Sequence, residues 1–286
     1  MKNIKKIKIF SLLLALCMLF TACSEINNLL RQDTTDYNNT VTMLDVGQAS
    51  CTLIESDGRF CMIDAGKAGG STDIVSYLHD RKVKKLDLLV LTHFHYDHTS
   101  EALDIIRNFD IGTILIPSLS DEYKPDNYFY QSLIEDAANG YFNLEYASQG
   151  LQFTIGSGVL TVLADTCNSE NINNTSTAVS YTGDDFVYVN TGDAEADREA
   201  DLISLLPQNI DFLTAAHHGS RDSNSEEFLK TLSPSFVGIS CGKENDYGHP
   251  HKAVLDRLAD MDIPYAITYE TGNIVYSMAT PQETNE

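Results

Sequence analysis

Three imidazoles and a carboxylate fall within the six residues His93-Phe94-His95-Tyr96-Asp97-His98. Alternate residues of an extended segment point the same way, so His93 and His95 can converge on one ion. Asp97 and His98 open the next helix and can face a second ion beside it. Imidazole and carboxylate donors suit Zn²⁺, Mn²⁺ or Fe better than Ca²⁺ or Mg²⁺. Such a cluster points to metal-assisted chemistry, and the run must be held by whatever precedes it.

What precedes it is a nearly continuous apolar stretch at 86–91, the mark of a buried strand. Upstream, 41–46, 50–55 and 59–64 read as three strands, the last two joined by Ser56-Asp57-Gly58. A helix is expected over 72–81, capped by Ser71 or Thr72. Beyond the His-rich run come a helix at 101–108 and a strand at 113–116 ended by Pro117. A polar, Tyr-rich helix around 126–138 follows. Further strands are predicted at 151–155, 159–164, 177–181 and 186–190, then a helix at 195–206 and a strand at 212–216. The end reads as a helix at 225–231, a strand at 236–240, a helix at 250–260, and strands at 265–268 and 273–277. This order predicts an α/β domain with a two-sheet core covered by helices on both outer faces, spanning 41–280 as one monomeric unit.

The first 22 residues stand outside that core. Lys2, Lys5, Lys6 and Lys8 precede an apolar stretch of residues 9–20, the layout of an export signal. Thr21-Ala22-Cys23 closes it and is similar to a bacterial lipobox, which implies acylation at Cys23 and a domain anchored by that lipid to the outer face of the cytoplasmic membrane. Residues 23–40 are polar and read as a tether. The formal net charge is −22, and removing four lysines with the signal deepens it. A strongly acidic body repels nucleic acid and anionic lipid at long range. Cys51 and Cys61 lie on successive strands, but a turn at 57–58 pairs 54 with 61, so no disulfide is expected.

With those residues in place, the chain resembles the metallo-β-lactamase superfamily. Thr92-His93-x-His95-x-Asp97-His98 is similar to its second motif, and Asp64-Ala65-Gly66 to its early Asp-x-Gly. Thr191-Gly192-Asp193 resembles the segment whose Asp bridges two metals, and His217-His218-Gly219-Ser220 the last ligand motif. The resemblance implies an αββα sandwich of two mixed β-sheets flanked by helices. A narrower likeness is to the hydrolase domain of ComEC competence proteins, through Leu44-Asp45-Val46-Gly47-Gln48-Ala49-Ser50, Asn173-x-x-Ser176 and Tyr247-Gly248-His249-Pro250. Ala49-Ser50 stands where that branch has Gly-Asp. No histidine occurs between His98 and His217, where many superfamily members have one.

The implied ligand set is therefore His93, His95 and Asp193 for a first metal, completed by water, substrate, Asn173 or Ser176. A second takes Asp97, His98, Asp193 and one of His217 and His218. Neighbours on a strand face opposite ways, so only one of the pair is expected to bind metal; His217 is preferred, with His218 behind it or on the substrate. Asp64 supports the metal loop by hydrogen bonding, and Asp97 orients the attacking hydroxide. His249 is a phosphate contact or general acid at the rim. Two divalent ions, Zn or Mn, would lower the pKa of a shared water and polarise the electrophile. The narrower likeness implies phosphodiester hydrolysis, with DNA or a cell-wall polymer such as teichoic acid or a choline phosphoester as substrate. Tyr123, Tyr128, Tyr130, Tyr141 and Tyr146 could offer aromatic faces to a quaternary ammonium. A binding lipoprotein that keeps the fold without catalysis is the reading of a different class.

Overall fold

The computed structural model describes residues 39–183 and 186–277. The export signal, Cys23 and most of the tether lie outside the described residues. Strand β1 (Asn39–Met43) begins inside the span read as tether and stops before Leu44. Gly47, at φ 71°, turns the chain there, with its N–H donating to Asp45 Oδ1. Strands β2 (Thr52–Ser56) and β3 (Arg59–Ile63) form the expected hairpin, with Ile54 opposite Cys61. Cys51, Cys61, Cys167 and Cys241 are free thiols.

Helix α1 (Ile74–Asp80) is capped by Asp73, whose carboxylate accepts from Ser76 N, rather than by Ser71 or Thr72. Thr72 instead donates its hydroxyl hydrogen to Asn273. Then come β4 (Lys85–Val90), the single turn α2 (Tyr96–Thr99), α3 (Ala102–Asn108), β5 (Asp110–Ile116) and α4 (Tyr128–Ala138). Strand β6 (Asn143–Tyr146) was not expected. It is an edge strand with mostly exposed or half-buried residues, so it carries no buried face that would show as an alternation. The second half runs β7 (Gln152–Ile155), β8 (Gly158–Val162), β9 (Val179–Gly183), β10 (Phe186–Asn190), α5 (Ala196–Leu202), β11 (Phe212–Thr214), α6 (Glu226–Leu232), β12 (Phe236–Ile239), α7 (Lys252–Asp260), β13 (Tyr265–Ile267), the short α8 (Thr268–Thr271) and β14 (Ile274–Ser277). Helix α7 starts later than Pro250 suggests, with His251 at its cap.

Two seven-stranded sheets result, ordered β14-β1-β2-β3-β4-β5-β6 and β13-β12-β11-β10-β9-β8-β7. Both are mixed in the same way. In the first, pairings are antiparallel up to β2·β3 and parallel from β3·β4 onward. In the second they are antiparallel up to β9·β10 and parallel from β10·β11 onward. Alternation along each strand buries both faces. Leu53, Met62, Leu86 and Leu89 pack under Ile74, Leu78, Ala102, Ile105 and Leu133 of α1, α3 and α4. Val189, Leu213 and Val237 pack under Leu202, Phe228, Leu229, Val254 and Leu258 of α5, α6 and α7. Between the sheets, Phe212 stacks on Tyr276 at 5.2 Å. A Cβ on Gly238 would stand 2.9 Å from the side chains of Met43 and Phe212, so any larger residue there would displace them. The layers are helix, sheet, sheet, helix, as expected.

Candidate metal centre

The switch from antiparallel to parallel pairing places four loops at one edge of the sandwich. Asp64 follows β3, the His-rich run follows β4, Asp193 follows β10, and His217-His218 follows β11. Carboxyl ends of strands at such a switch leave a crevice that helices do not cover. The parallel β3·β4 pair sets Asp64 beside Thr92. Asp64 is fully buried, and its carboxylate accepts from Thr92 N at 2.8 Å and from Thr92 Oγ1 at 2.9 Å. It also accepts from His98 Nδ1 at 2.6 Å.

Two side-chain groups with metal-ligand chemistry meet here. His93, His95 and Asp193 bring donor atoms within 4.8 Å of one another, and so do Asp97, His98 and His218. Asp193 lies between them. Its Oδ2 is 3.8 Å from His93 Nε2 and 3.7 Å from His218 Nε2, and its Oδ1 is 3.3 Å from His98 Nε2. The backbone of Asp193 donates to Ser176 Oγ. Gly192 allows this approach, since a Cβ would stand 2.8 Å from Ser176 Oγ and Thr92 Oγ1.

Hydrogen bonds behind the rings settle which nitrogens face the crevice. His98 Nδ1 donates to Asp64 and His218 Nδ1 donates to the Ser240 carbonyl at 2.9 Å. In both rings Nε2 is buried and faces a carboxylate at 3.3 Å, Asp193 for His98 and Asp97 for His218, without good hydrogen-bond geometry. A buried imidazole nitrogen without a hydrogen-bond partner is costly unless a cation takes the place of its proton. The Asp97, His98 and His218 group therefore fits a divalent ion, and His93, His95 and Asp193 offer the same donor chemistry for a second beside it.

The charges agree. Burial opposes a charge on His98, but Asp193 and Asp64 outweigh it and hold this imidazole well above its ordinary value. His218 is raised in the same way, burial being overcome by Asp193 and Asp97. His93 is pushed well below the ordinary value by burial and by neighbouring His98. Burial would raise Asp97, yet the His218 imidazole 3.3 Å away and the charge of His98 bring it far below the usual carboxylate range. Asp193 is likewise held low against its burial by His98 and His218. Metal uptake must then displace protons from His98 and His218. Affinity for Zn²⁺ or Mn²⁺ should rise with pH through their raised values and level off above them. Calorimetric titrations in buffers of different ionisation enthalpy should show proton release near neutrality; none would contradict this charge pattern.

The His217–His218 pair is not on a strand. Both residues take left-handed backbone, φ 52° and 55°, in a tight turn after β11. His218, not His217, joins Asp97 and His98, which reverses the preference for His217. His217 turns to the other side, its Nε2 3.9 Å from Asp193 Oδ2 and 3.5 Å from Asn173 Nδ2. Its Nδ1 lies 3.6 Å from Glu195 Oε1. Asn173 donates Nδ2 to Glu195 at 2.8 Å and keeps a buried, unpaired Oδ1. Ser176 is occupied with the Asp193 backbone. Glu195 was missed by sequence reasoning, although it stands only two residues past Asp193. The role of the Ser240 carbonyl had no sequence signal at all.

His249 packs edge-on against His217 at 5.4 Å and over His218 at 6.2 Å. Burial and the neighbouring histidines push it down to about 3. Tyr130 packs at right angles on Phe94. A cavity of about 490 Å³ opens beside Phe94, lined also by Tyr123, Ile172, Glu122 and Glu170. Tyr128, Tyr141 and Tyr146 are exposed.

Residues 44–235 match the family model described as "Metallo-beta-lactamase superfamily". "ComE operon protein 3" of Bacillus subtilis (strain 168) is 27% identical over 256 residues, which are 82% of this chain and 32% of that protein. "Recombination protein 2" of Haemophilus influenzae is 32% identical over 224 residues, 76% of this chain and 26% of that protein. The chain thus spans about a third or less of the length of these relatives. Among solved structures, the metallo-beta-lactamase fold protein YhfI from Bacillus subtilis superposes with a TM-score of 0.57 at 15% identity, over 83% of this chain and 99% of that one.

Proposed function

This chain belongs to the metallo-beta-lactamase superfamily, and from that footing we propose that it is a dinuclear phosphodiesterase. The observation that carries the reading is Asp193, a single carboxylate within 4 Å of His93, His98 and His218. His93, His95 and Asp193 would hold one cation; Asp97, His98, Asp193 and His218 the other. An N/O donor set of this kind suits Zn²⁺ or Mn²⁺. Bound there, the cations supply Lewis-acid polarisation and a nucleophile available at neutral pH. Asp97 stays ionised and orients the nucleophile. His249, uncharged at neutral pH, serves as a hydrogen-bond partner of the substrate rather than as a proton donor. His217 flanks the shared carboxylate, its Nε2 3.9 Å from Asp193 Oδ2 and 3.5 Å from Asn173 Nδ2.

The likeness to ComE operon protein 3 and Recombination protein 2, the latter named for recombination, makes DNA the first substrate to try. A net charge of −22 and the Glu122 and Glu170 lining beside Phe94 favour the second reading, a cell-wall phosphodiester whose remainder is not a polyanion. The test uses protein loaded with Zn²⁺ or Mn²⁺ on bis-p-nitrophenyl phosphate, single-stranded DNA and p-nitrophenyl phosphorylcholine. Metal-dependent turnover that His95→Ala removes is expected. Silence on all three substrates would leave only a binding role for the fold.

The same reading places the domain outside the cytoplasm, held by a lipid on Cys23. Among the described residues no helix is long and apolar enough to cross a membrane. Cells fed tritiated palmitate should label the parent chain and not Cys23→Ala; equal labelling, or none in the parent, would dismiss the anchor.

A further inference from the structure

Gln48 and the segment after β12 are joined by bonds that the metal centre does not need for its own ligands. The Gly242 N–H donates to Gln48 Oε1 at 3.2 Å. A Cβ on Gly242 would stand 2.9 Å from Gln48 N, so only glycine lets the two backbones come this close. An N–H can only donate, so the oxygen of the Gln48 amide must face it. The amide nitrogen then faces the other way, where Gln48 Nε2 lies 3.3 Å from His249 Nδ1. An amide NH₂ can only donate in turn, so Nδ1 of His249 must be the acceptor. A neutral imidazole carries one hydrogen, which is left on Nε2.

The main chain of His249 is fixed as well. Its N–H donates to Asn245 Oδ1 at 2.9 Å, and Asn245 Nδ2 donates to the His249 carbonyl at 2.7 Å and the Gly242 carbonyl at 2.8 Å. The ring, mostly buried, touches those of both His217 and His218.

We propose that Gln48 is a positioning residue that fixes the tautomer of His249, so that this ring presents Nε2–H as a donor to an anionic oxygen of the substrate at the edge of the metal centre. Glycine at 242 sets the amide, the amide sets the ring, and the ring offers a hydrogen. A donor arranged before the substrate arrives costs no reorganisation when charge develops. The kinetic part of this assignment rests on the phosphodiesterase reading; the tautomer does not.

The decisive variant is Gln48→Glu. It keeps an oxygen for Gly242 N–H but replaces the NH₂ with an acceptor, so His249 must move its hydrogen to Nδ1. Zinc-loaded protein with ¹⁵N-labelled histidine is compared by two-bond proton–nitrogen spectra at alkaline pH, where the ring is neutral, with His249→Gln giving the assignment. The parent should show the Nε2–H form and Gln48→Glu the Nδ1–H form. Inorganic phosphate titrated into both should shift the His249 signals in the parent and leave the variant nearly unmoved. On bis-p-nitrophenyl phosphate, Gln48→Glu should lower kcat/KM about 10²-fold at unchanged zinc content. In the His249→Gln background the same change at position 48 should cost little more. An Nδ1–H form in the parent, or one tautomer shared by both proteins, overturns the assignment. So does a switched tautomer with unaltered phosphate response. Absence of turnover in the parent with the expected spectra would sink the phosphodiesterase reading alone.

Discussion

Asp193→Asn is expected to abolish hydrolysis while leaving the fold in place. The asparagine keeps the volume and the backbone bond from residue 193 to Ser176 Oγ. It removes the negative charge that His93, His98 and His218 share. A bridging ligand is worth several kcal/mol to bound cations and to the charge they stabilise; about 4 kcal/mol corresponds to about 10³-fold in rate. Metal content by mass spectrometry should fall from two equivalents per chain to one or fewer, with kcat/KM falling by at least that factor. A variant holding two equivalents at parental turnover would remove Asp193 from the centre of the mechanism. Circular dichroism of the metal-free parent and variant should coincide, since no core contact changes.

The second large effect is at Asp64, and here stability and metal binding can be separated. Asp64→Ala leaves the Thr92 N–H and His98 Nδ1–H buried without an acceptor. It also puts alanine at φ 60°, which Asp and Asn tolerate better. Breaking a buried pair of this kind costs about 3–5 kcal/mol. In a domain of this size that is a fall in Tm of about 10 °C, read by scanning calorimetry on the metal-free protein. Asp64→Asn keeps the shape and the backbone angle but turns an NH₂ toward His98 Nδ1. His98 must then accept there and carry its hydrogen on Nε2, the nitrogen that a cation needs. This variant should melt close to the parent and lose about 10–100-fold in metal affinity. A stable Asp64→Asn that binds metal as the parent does would contradict the tautomer given to His98.

The buried acceptors at Asp64 and Ser240 act in the same sense as Gln48 does on His249. Each fixes a ring from behind so that the nitrogen facing the crevice has a defined character, lone pair or donor. Three histidines at one centre thus have their roles set by residues that touch no substrate. A substitution behind a ring can therefore silence the site without removing any ligand.

Four of the donors, His93, His95, Asp97 and His98, were legible because they are local: one turn after one buried strand carries them. Asp64 and Asp193 were legible only through the resemblance to a family, Asp64 in Asp64-Ala65-Gly66 and Asp193 in Thr191-Gly192-Asp193. The hairpin register could be counted from the Asp57-Gly58 turn. The sandwich followed from the alternation of strands and helices. Resemblance to a family added the order of the motifs and the expectation of two metals.

The choice between His217 and His218 was not available to local reasoning. Alternation holds only on a strand, and the left-handed backbone at both residues is imposed from outside. Asn224 clamps Ala216 through both of its backbone groups, and a Cβ on Gly219 would stand 2.7 Å from Pro250. Position-by-position propensity does not favour positive φ at two adjacent histidines. Only long-range packing enforces it.

The run His93 to His98 and its chemistry were thus determined by the sequence itself, because ligand type and spacing suffice when the donors share one turn. The tertiary structure decided which distant groups complete the run and which nitrogen each ring presents. Those depend on partners 22 to 201 residues away, which no local pattern encodes.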